Sequence, residues 1–148
     1  MPDYSETQSA SPAVLFTTAP TDTPQDDSLL LALAIAQAAD DRKGADIRIL
    51  RVSEVSYLAD YFVIITGFSN VQVRAIARSI EDEVEQKWQR QPLRTEGQSE
   101  GSWILQDYGP VIVHTFLPQD REFYNLEAFW GHAEQVEFSG SNLANVTL

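Results

Sequence analysis

One stretch constrains the fold more than any other. Residues 60–66 form an almost unbroken apolar run, D-Y-F-V-I-I-T. A strand with one solvent-exposed face alternates polar and apolar residues, whereas this run presents apolar side chains on both faces. It therefore predicts a central strand in a sheet that is covered on both sides. The 148 residues, 43% of them hydrophobic, are enough for one such core and not for two.

A helix and a strand are predicted before the central strand. Residues 29–41 are rich in Ala and Leu, and Asp27 or Ser28 is placed to cap a helix there. Gly44 follows two basic residues and gives the usual stop signal. The segment is apolar on nearly all sides, which favours packing on two sides. Residues 47–52 then begin an extended pattern.

A second helix is predicted after the central strand. Ser69 and Gln72 have the spacing of a capping box, in which both side chains satisfy free backbone N–H groups. Pro92 ends the pattern. Apolar residues at steps of three and four form one stripe, which comprises Val73, Ile76, Ala77, Ile80, Val84 and Trp88.

The last third predicts a hairpin and a short helix. A short strand over 93–96 precedes a hairpin in which 102–108 pairs with 111–116 around Gly109-Pro110. Residues 120–130 support one helical segment, with Phe123, Leu126, Glu127 and Trp130 on one side. If Tyr108 pairs with Val111, the two-residue period puts six residues on one face of the sheet: Trp103, Leu105, Asp107, Ile112, His114 and Phe116.

The two ends are predicted to lie outside the folded domain. Residues 1–26 are rich in Ser, Thr, Pro and Asp, which predicts a disordered acidic tail. An acidic interaction arm is the functional alternative for this stretch. Residues 138–148 lack periodicity and predict a flexible tail. The domain is therefore expected to span residues 27–137.

Charge and composition limit the partners. The net charge is −12, from 22 acidic and 10 basic residues, so the chain repels phosphate backbones and favours a basic protein over nucleic acid. The absence of cysteine excludes disulfides and fits a reducing, cytoplasmic location. The longest apolar run, residues 29–36, is about half of the roughly 18 residues that a membrane span needs. We expect neither a membrane anchor nor a signal peptide.

Two constellations admit a catalytic interpretation. Gly67 and Ser69 ahead of a helix, with acids at 81–83, are typical of nucleotidyltransferases, in which paired carboxylates hold two metal ions. These acids fall on a helix, where positions i and i+2 point apart. Ser69, Asp107 and His114 are the residue types of a hydrolytic triad, but Ser69 lacks a nucleophile elbow. His114, with Asp107 as its expected hydrogen-bond partner, is better explained as a structural or interface histidine.

No metal or cofactor site is expected. His132 lies 18 positions from the other histidine, His114, and there is no cysteine to complete a site. No Walker-type or dinucleotide-binding glycine-rich loop is present. The chain is accordingly predicted not to be an enzyme, and a nucleotide-handling enzyme with a degenerate nucleotidyltransferase-like site is the alternative.

Aromatic residues crowd the C-terminal third beside fixed charges. This composition is typical of interface hot spots as well as of cores. Core filling is favoured for Phe116 and Phe123. Core filling and partner binding both stay open for Trp103, Tyr124 and Trp130.

The sequence closely resembles the iojap family, the ribosomal silencing factors, over about residues 28–137. The resemblance rests on six segments that occur in order with fitting separations: residues 60–69, 73–77, 96–97, 103–109, 111–116 and 121–130.

This resemblance implies a fold, a partner and a set of site residues. The fold would be a small α/β (α+β) domain, a mixed sheet flanked by helices, related to nucleotidyltransferases but without their active site. Family members bind ribosomal large-subunit protein fourteen and hinder subunit joining, so translation is repressed sterically; some are homodimers. The residues carried over as interface or interface-supporting are Trp103, Leu105, Asp107, Tyr108, His114, Arg121, Tyr124, Leu126, Glu127 and Trp130.

Overall fold

The structure, a computed structural model, describes residues 24–140, and side chains from residue 27 onward. The tails predicted over 1–26 and 138–148 lie mostly outside these residues. The elements in chain order are α1 (Pro24–Asp41), β1 (Ala45–Arg51), β2 (Tyr61–Thr66), α2 (Asn70–Trp88), β3 (Arg94–Glu96), β4 (Trp103–Asp107), β5 (Val111–Phe116), α3 (Pro118–Tyr124), α4 (Leu126–Phe129) and β6 (Glu134–Val136).

The strands form one mixed six-stranded sheet in the order β3-β4-β5-β2-β1-β6. Strand β2 runs parallel to β5, and the other neighbouring strands are antiparallel. All six residues of β2 are buried. The predicted α/β fold, with a covered central strand, is confirmed.

Helices α1 and α2 cover one face of this sheet. Leu31 and Ile35 of α1 and Ile76 and Ile80 of α2 are fully buried against Val63 of β2. The apolar circumference of α1 is thus explained, because the helix contacts α2 as well as the sheet. The prediction of packing on two sides is confirmed.

The start of α1 differs from the prediction. The helix begins at Pro24, not at a cap formed by Asp27 or Ser28. Proline suits the first helical turn because its ring fixes φ and the N–H that it lacks would have no helical partner there. The predicted cap was wrong because Asp and Ser are residue types preferred at helix caps, whereas Asp27 and Ser28 here lie within the first turns of the helix.

The capping box at the start of α2 is only half formed. The Ser69 hydroxyl accepts the Gln72 N–H at 3.0 Å, as predicted. The Gln72 side-chain oxygen, however, accepts the N–H of Phe68 at 2.7 Å and not that of Ser69. Its amide nitrogen donates to the carbonyls of Arg42 and Lys43 at 3.3 and 3.1 Å. Gln72 therefore links the start of α2 to the turn after α1.

The hairpin has the predicted register. The Tyr108 N–H donates to the Val111 carbonyl at 2.9 Å, and Trp103 lies opposite Phe116. Strand β3, at Arg94–Glu96, adds to the edge of β4 close to the predicted 93–96.

The segment after the hairpin departs most from the prediction. Asn125 adopts a left-handed conformation (φ 45°, ψ 57°) and divides the predicted helix into α3 and α4. Asparagine tolerates this conformation better than most residues. Phe123, in α3, is 79% exposed, so its assignment to the core was wrong. Strand β6 was not predicted, because three mostly exposed residues give no periodic signal. Beyond it, Phe138 packs against the core.

Candidate partner-binding surface

The second face of the sheet is covered far less than the first. Phe62, Ile64, Ile112 and Phe116 form its buried layer. Within residues 24–140, the helical cover on this layer consists of the short α3 and α4 and the turn that follows them. We define the aromatic face as the partly exposed or exposed side chains that lie over this layer: Trp103, Leu105, Tyr124, Leu126 and Trp130.

Trp103 lies at the centre of the aromatic face. Its ring contacts those of Phe116, at a centroid distance of 4.7 Å, and Tyr124, at 4.6 Å, both in tilted arrangements. Its indole N–H points inward and donates to Nδ1 of His114 at 3.2 Å. Strand β4 fixes the backbone of Trp103 and α3 supplies Tyr124. The position of Trp103, which we call the first anchor of the aromatic face, therefore depends on two elements.

His114 is the buried support of this anchor. The side chain is 5% exposed and contacts Phe62 at a centroid distance of 5.1 Å. Burial lowers its pKa from 6.5 to about 4, so the imidazole is neutral near pH 7. Because Nδ1 accepts the indole N–H, the proton lies on Nε2. The predicted bond to Asp107 is wrong, since Asp107 accepts the Gly109 N–H at 2.8 Å and pairs with Arg94.

Trp130 forms the second anchor, on the other side of Phe62. The two rings meet edge to face at 5.4 Å. Leu126 of α4 packs on the same buried layer. Phe129 contacts Trp130 at 5.1 Å and is 76% exposed, so it extends the aromatic face outward. Phe129 was not predicted as a site residue, although it lies next to a predicted tryptophan.

Arg121 attaches α3 and α4 to the sheet. Its guanidinium, 8% exposed as a residue, bonds both carboxylate oxygens of Glu127 at 3.2 and 2.6 Å. It also donates to the Thr66 hydroxyl at 2.8 Å and lies 3.6 Å from Asp46. The aromatic face is therefore held at its edge by a network that spans four elements. Thr66 and Asp46 were missed, because neither belongs to a recognisable sequence pattern.

Tyr108 does not belong to this surface. It is 1% exposed and packs in the core cluster under the two long helices, on the opposite face of the sheet. Burial raises the pKa of its phenol. Tyr108 has the opposite parity to Trp103 along the chain, which agrees with its place on the other face of the sheet. Asp107 has the correct parity but lies at the hairpin end, bonded within the hairpin.

The residues of the catalytic alternatives are occupied elsewhere. Ser69 caps α2, and Asp107 and His114 bond other partners. The acids at 81–83 lie on α2, on the helical side of the sheet. Across the described residues there is no group of three or more His, Cys, Asp or Glu side chains that could hold a metal ion. In the same part of the chain, no helix is both long and apolar enough to cross a membrane.

A family profile decides the relationship. The profile described as "Ribosomal silencing factor during starvation" matches residues 25–147, most of the chain. This chain belongs to that family. The ribosomal silencing factor RsfS of Bacillus subtilis is 44% identical over 98 residues, which cover 66% of this chain and 82% of that protein.

Other relatives of the silencing factor family extend the match. The chloroplastic protein Iojap of Zea mays is 41% identical over 120 residues, 80% of this chain. The matched part is about half of the maize protein, 52% of its length. A crystal structure of a Chromobacterium violaceum protein shares the fold with a TM-score of 0.67 at 33% identity, covering 79% of this chain and 93% of that one. Membership and fold thus agree with the resemblance that the sequence segments indicated.

Proposed function

We propose that this chain represses translation by binding the large ribosomal subunit through ribosomal large-subunit protein fourteen. By occupying that site it would block subunit joining without any chemical step. The observation that carries the proposal is the aromatic face, a half-covered sheet surface in a member of a ribosomal silencing family. The other face of the sheet is covered by two long helices and offers no comparable surface among the described residues.

The aromatic face has the composition of a protein interface. Trp103 and Trp130 are partly exposed and held by neighbouring rings, so little side-chain entropy is lost when a partner binds. Tyr124 is about half exposed beside them. Rigid aromatic side chains near the centre of a patch supply most of the binding energy in many interfaces.

Charge favours protein over RNA as the contacted surface. A chain with a net charge of −12 is repelled by ribosomal RNA and attracted to a basic protein displayed on it. A nucleotide-handling enzyme is the weaker alternative, because the residues of its would-be site cap α2 or lie along it. A cytoplasmic location and a homodimer both stay predictions.

Three tryptophan substitutions test the proposal. Trp103→Ala and Trp130→Ala should each lower the affinity for isolated large subunits, measured by co-sedimentation, by about 30-fold, which is the scale of a hot spot. Trp88→Ala is the matched control, since Trp88 packs against the core on the helical side. It should lower the free energy of unfolding by about 2 to 4 kcal/mol and leave binding unchanged.

Two results would contradict the proposal. If Trp103→Ala and Trp130→Ala only lower the melting temperature, and both bind normally while folded, the aromatic face is a core surface. If a folded variant that no longer binds still blocks subunit joining, occupancy is not the mechanism. Nucleotide binding that survives Trp103→Ala would support the enzyme alternative.

A further inference from the structure

Only one of the two ring nitrogens of His114 has a hydrogen-bond partner among the described residues, and that partner is Trp103. Nδ1 of His114 accepts the indole N–H at 3.2 Å, but Nε2 is buried and has no hydrogen-bond partner in the part of the chain that the structure describes. A buried donor without an acceptor lowers stability by about 1 to 3 kcal/mol. An aliphatic side chain among Phe62 and Phe116 would avoid this cost.

This arrangement of the two nitrogens indicates that His114 serves the orientation of Trp103. Without an acceptor beneath it, the indole N–H would have to turn toward water to be satisfied. The tilted contacts with Phe116 and Tyr124, at interplanar angles of 31° and 46°, include no hydrogen bond from the indole, so they do not satisfy its N–H. The hydrogen bond to His114 does satisfy it, and it directs the polar edge into the protein.

We infer that His114 is a positioning residue that turns only the apolar edge of Trp103 outward, so that the partner must meet it with an aliphatic side chain. This inference rests on the proposed function, because it describes what the aromatic face selects. A partner that offered a carbonyl or carboxylate to Trp103 would find no donor there. The pair therefore adds specificity to a surface that would otherwise accept any apolar or polar group.

Two substitutions of His114 test whether it orients the Trp103 indole. His114→Asn keeps an acceptor near the position of Nδ1, whereas His114→Leu keeps the volume and removes the acceptor. In full-length protein labelled with nitrogen-15, the Trp103 indole N–H, identified by its loss in Trp103→Phe, should be protected from solvent exchange. Protection should persist in His114→Asn and be lost in His114→Leu. Unchanged protection in His114→Leu would overturn the inference.

Binding to isolated large subunits supplies the second readout. His114→Leu should bind about fivefold to tenfold more weakly at a melting temperature no lower than that of the parent chain, and His114→Asn should bind within about twofold of the parent chain. Trp103→Phe, which has no N–H to satisfy, should lose at most about threefold. A loss as large as that of Trp103→Ala would show that the partner uses the indole N–H, and would overturn the aliphatic contact.

A double substitution keeps the test decisive if His114→Leu also lowers stability. In the Trp103→Phe background, His114→Leu should cost no further affinity, because no indole N–H remains to be oriented. An equal loss in both backgrounds would mean that His114 does not act through Trp103. If the parent chain itself fails to bind large subunits, the proposed function fails instead, and the exchange experiment still decides the orientation.

Discussion

Gly97 lies against the backbone of Trp103. A Cβ atom at Gly97 would lie 1.9 Å from the Trp103 carbonyl oxygen, and the residue has φ +91°. Gly109 has the same φ, but the nearest atom to its Cβ would be a side-chain carbon of Leu93 at 3.7 Å. Substituting each glycine by alanine therefore distinguishes two losses of stability. Both variants carry the cost of the positive φ, and only Gly97→Ala adds a steric clash with the Trp103 backbone.

We expect Gly97→Ala to lower the free energy of unfolding by about 3 kcal/mol or more and to displace β3 from β4. Gly109→Ala should cost about 1 kcal/mol, because only the backbone conformation is unfavourable there. Urea unfolding of both variants measures the difference. Equal losses would show that the contact at Gly97 relaxes without displacing the strand.

His114 makes stability depend on pH. Its pKa is about 4 in the folded chain, whereas histidine has its ordinary pKa of 6.5 in the unfolded chain. Above pH 6.5 neither state is protonated and this stability is fully present. As the pH falls from 6.5 to 4, the unfolded chain binds a proton that the folded chain excludes, so stability falls by at most about 3 kcal/mol and then levels off.

The variant His114→Asn removes this titration and isolates it from the carboxylates. Urea unfolding at pH 7 and near pH 4.5 should show a larger loss for the parent chain than for the variant. Parallel losses would indicate that the imidazole becomes protonated in the folded state without cost.

At the scale of elements, α3 and α4 form a short arm that Arg121 fastens to the sheet. The side chain of Arg121 is 9% exposed and that of Glu127 27% exposed, so the pair is screened less than a surface ion pair. The arm carries Tyr124 and Leu126 of the aromatic face. Loosening it should therefore affect binding as well as stability.

Arg121→Leu should lower the free energy of unfolding by about 2 to 4 kcal/mol, because Glu127 loses its partner in a half-buried site. Lys87→Leu is the control, since it breaks an exposed, solvent-screened pair with Glu83 on α2 and should leave the free energy of unfolding nearly unchanged. Hydrogen exchange should accelerate at residues 126–130 in the first variant alone. Unchanged exchange there would contradict the fastening role.

At the scale of the whole molecule, part of the acidic charge lies away from the contact surface. Glu81, Asp82 and Glu85 lie on α2, on the helical side of the sheet, away from the aromatic face. Such charges raise the rate of encounter with a basic partner without touching it. These three acids would thus contribute to attraction without taking part in the contact.

Neutralising these three acids as Gln, Asn and Gln changes the net charge from −12 to −9. We expect slower association with large subunits and a nearly unchanged dissociation rate. For the parent chain, raising the salt concentration from about 0.05 to about 0.3 M should slow association in the same way. If neither the three substitutions nor the added salt changes the association rate, electrostatic steering is excluded.

The sequence by itself determined the elements whose signals are local. The apolar run at 60–66 defined the central strand, the stripe from Val73 to Trp88 defined α2, and alternation around Gly109 set the register of the hairpin. The first feature depends on an unbroken apolar run and the other two on repeat periods of 3.6 and two residues, all of which short segments already display. The same alternation places Trp103 and His114 on one face of the sheet, where their side chains meet.

Only the tertiary structure decided which aromatic residues are exposed. Phe123 and Trp130 share a helical period in the sequence, yet the left-handed Asn125 interrupts that period, and Phe123 is exposed whereas Trp130 packs against Phe62. Strand β6 exists because β1 offers it an edge, not because of its own three residues. Two of the three partners of Arg121 come from positions 55 and 75 residues earlier, Thr66 and Asp46. Such contacts join distant segments that carry no shared local pattern, so their physical cause appears only when the chain is folded.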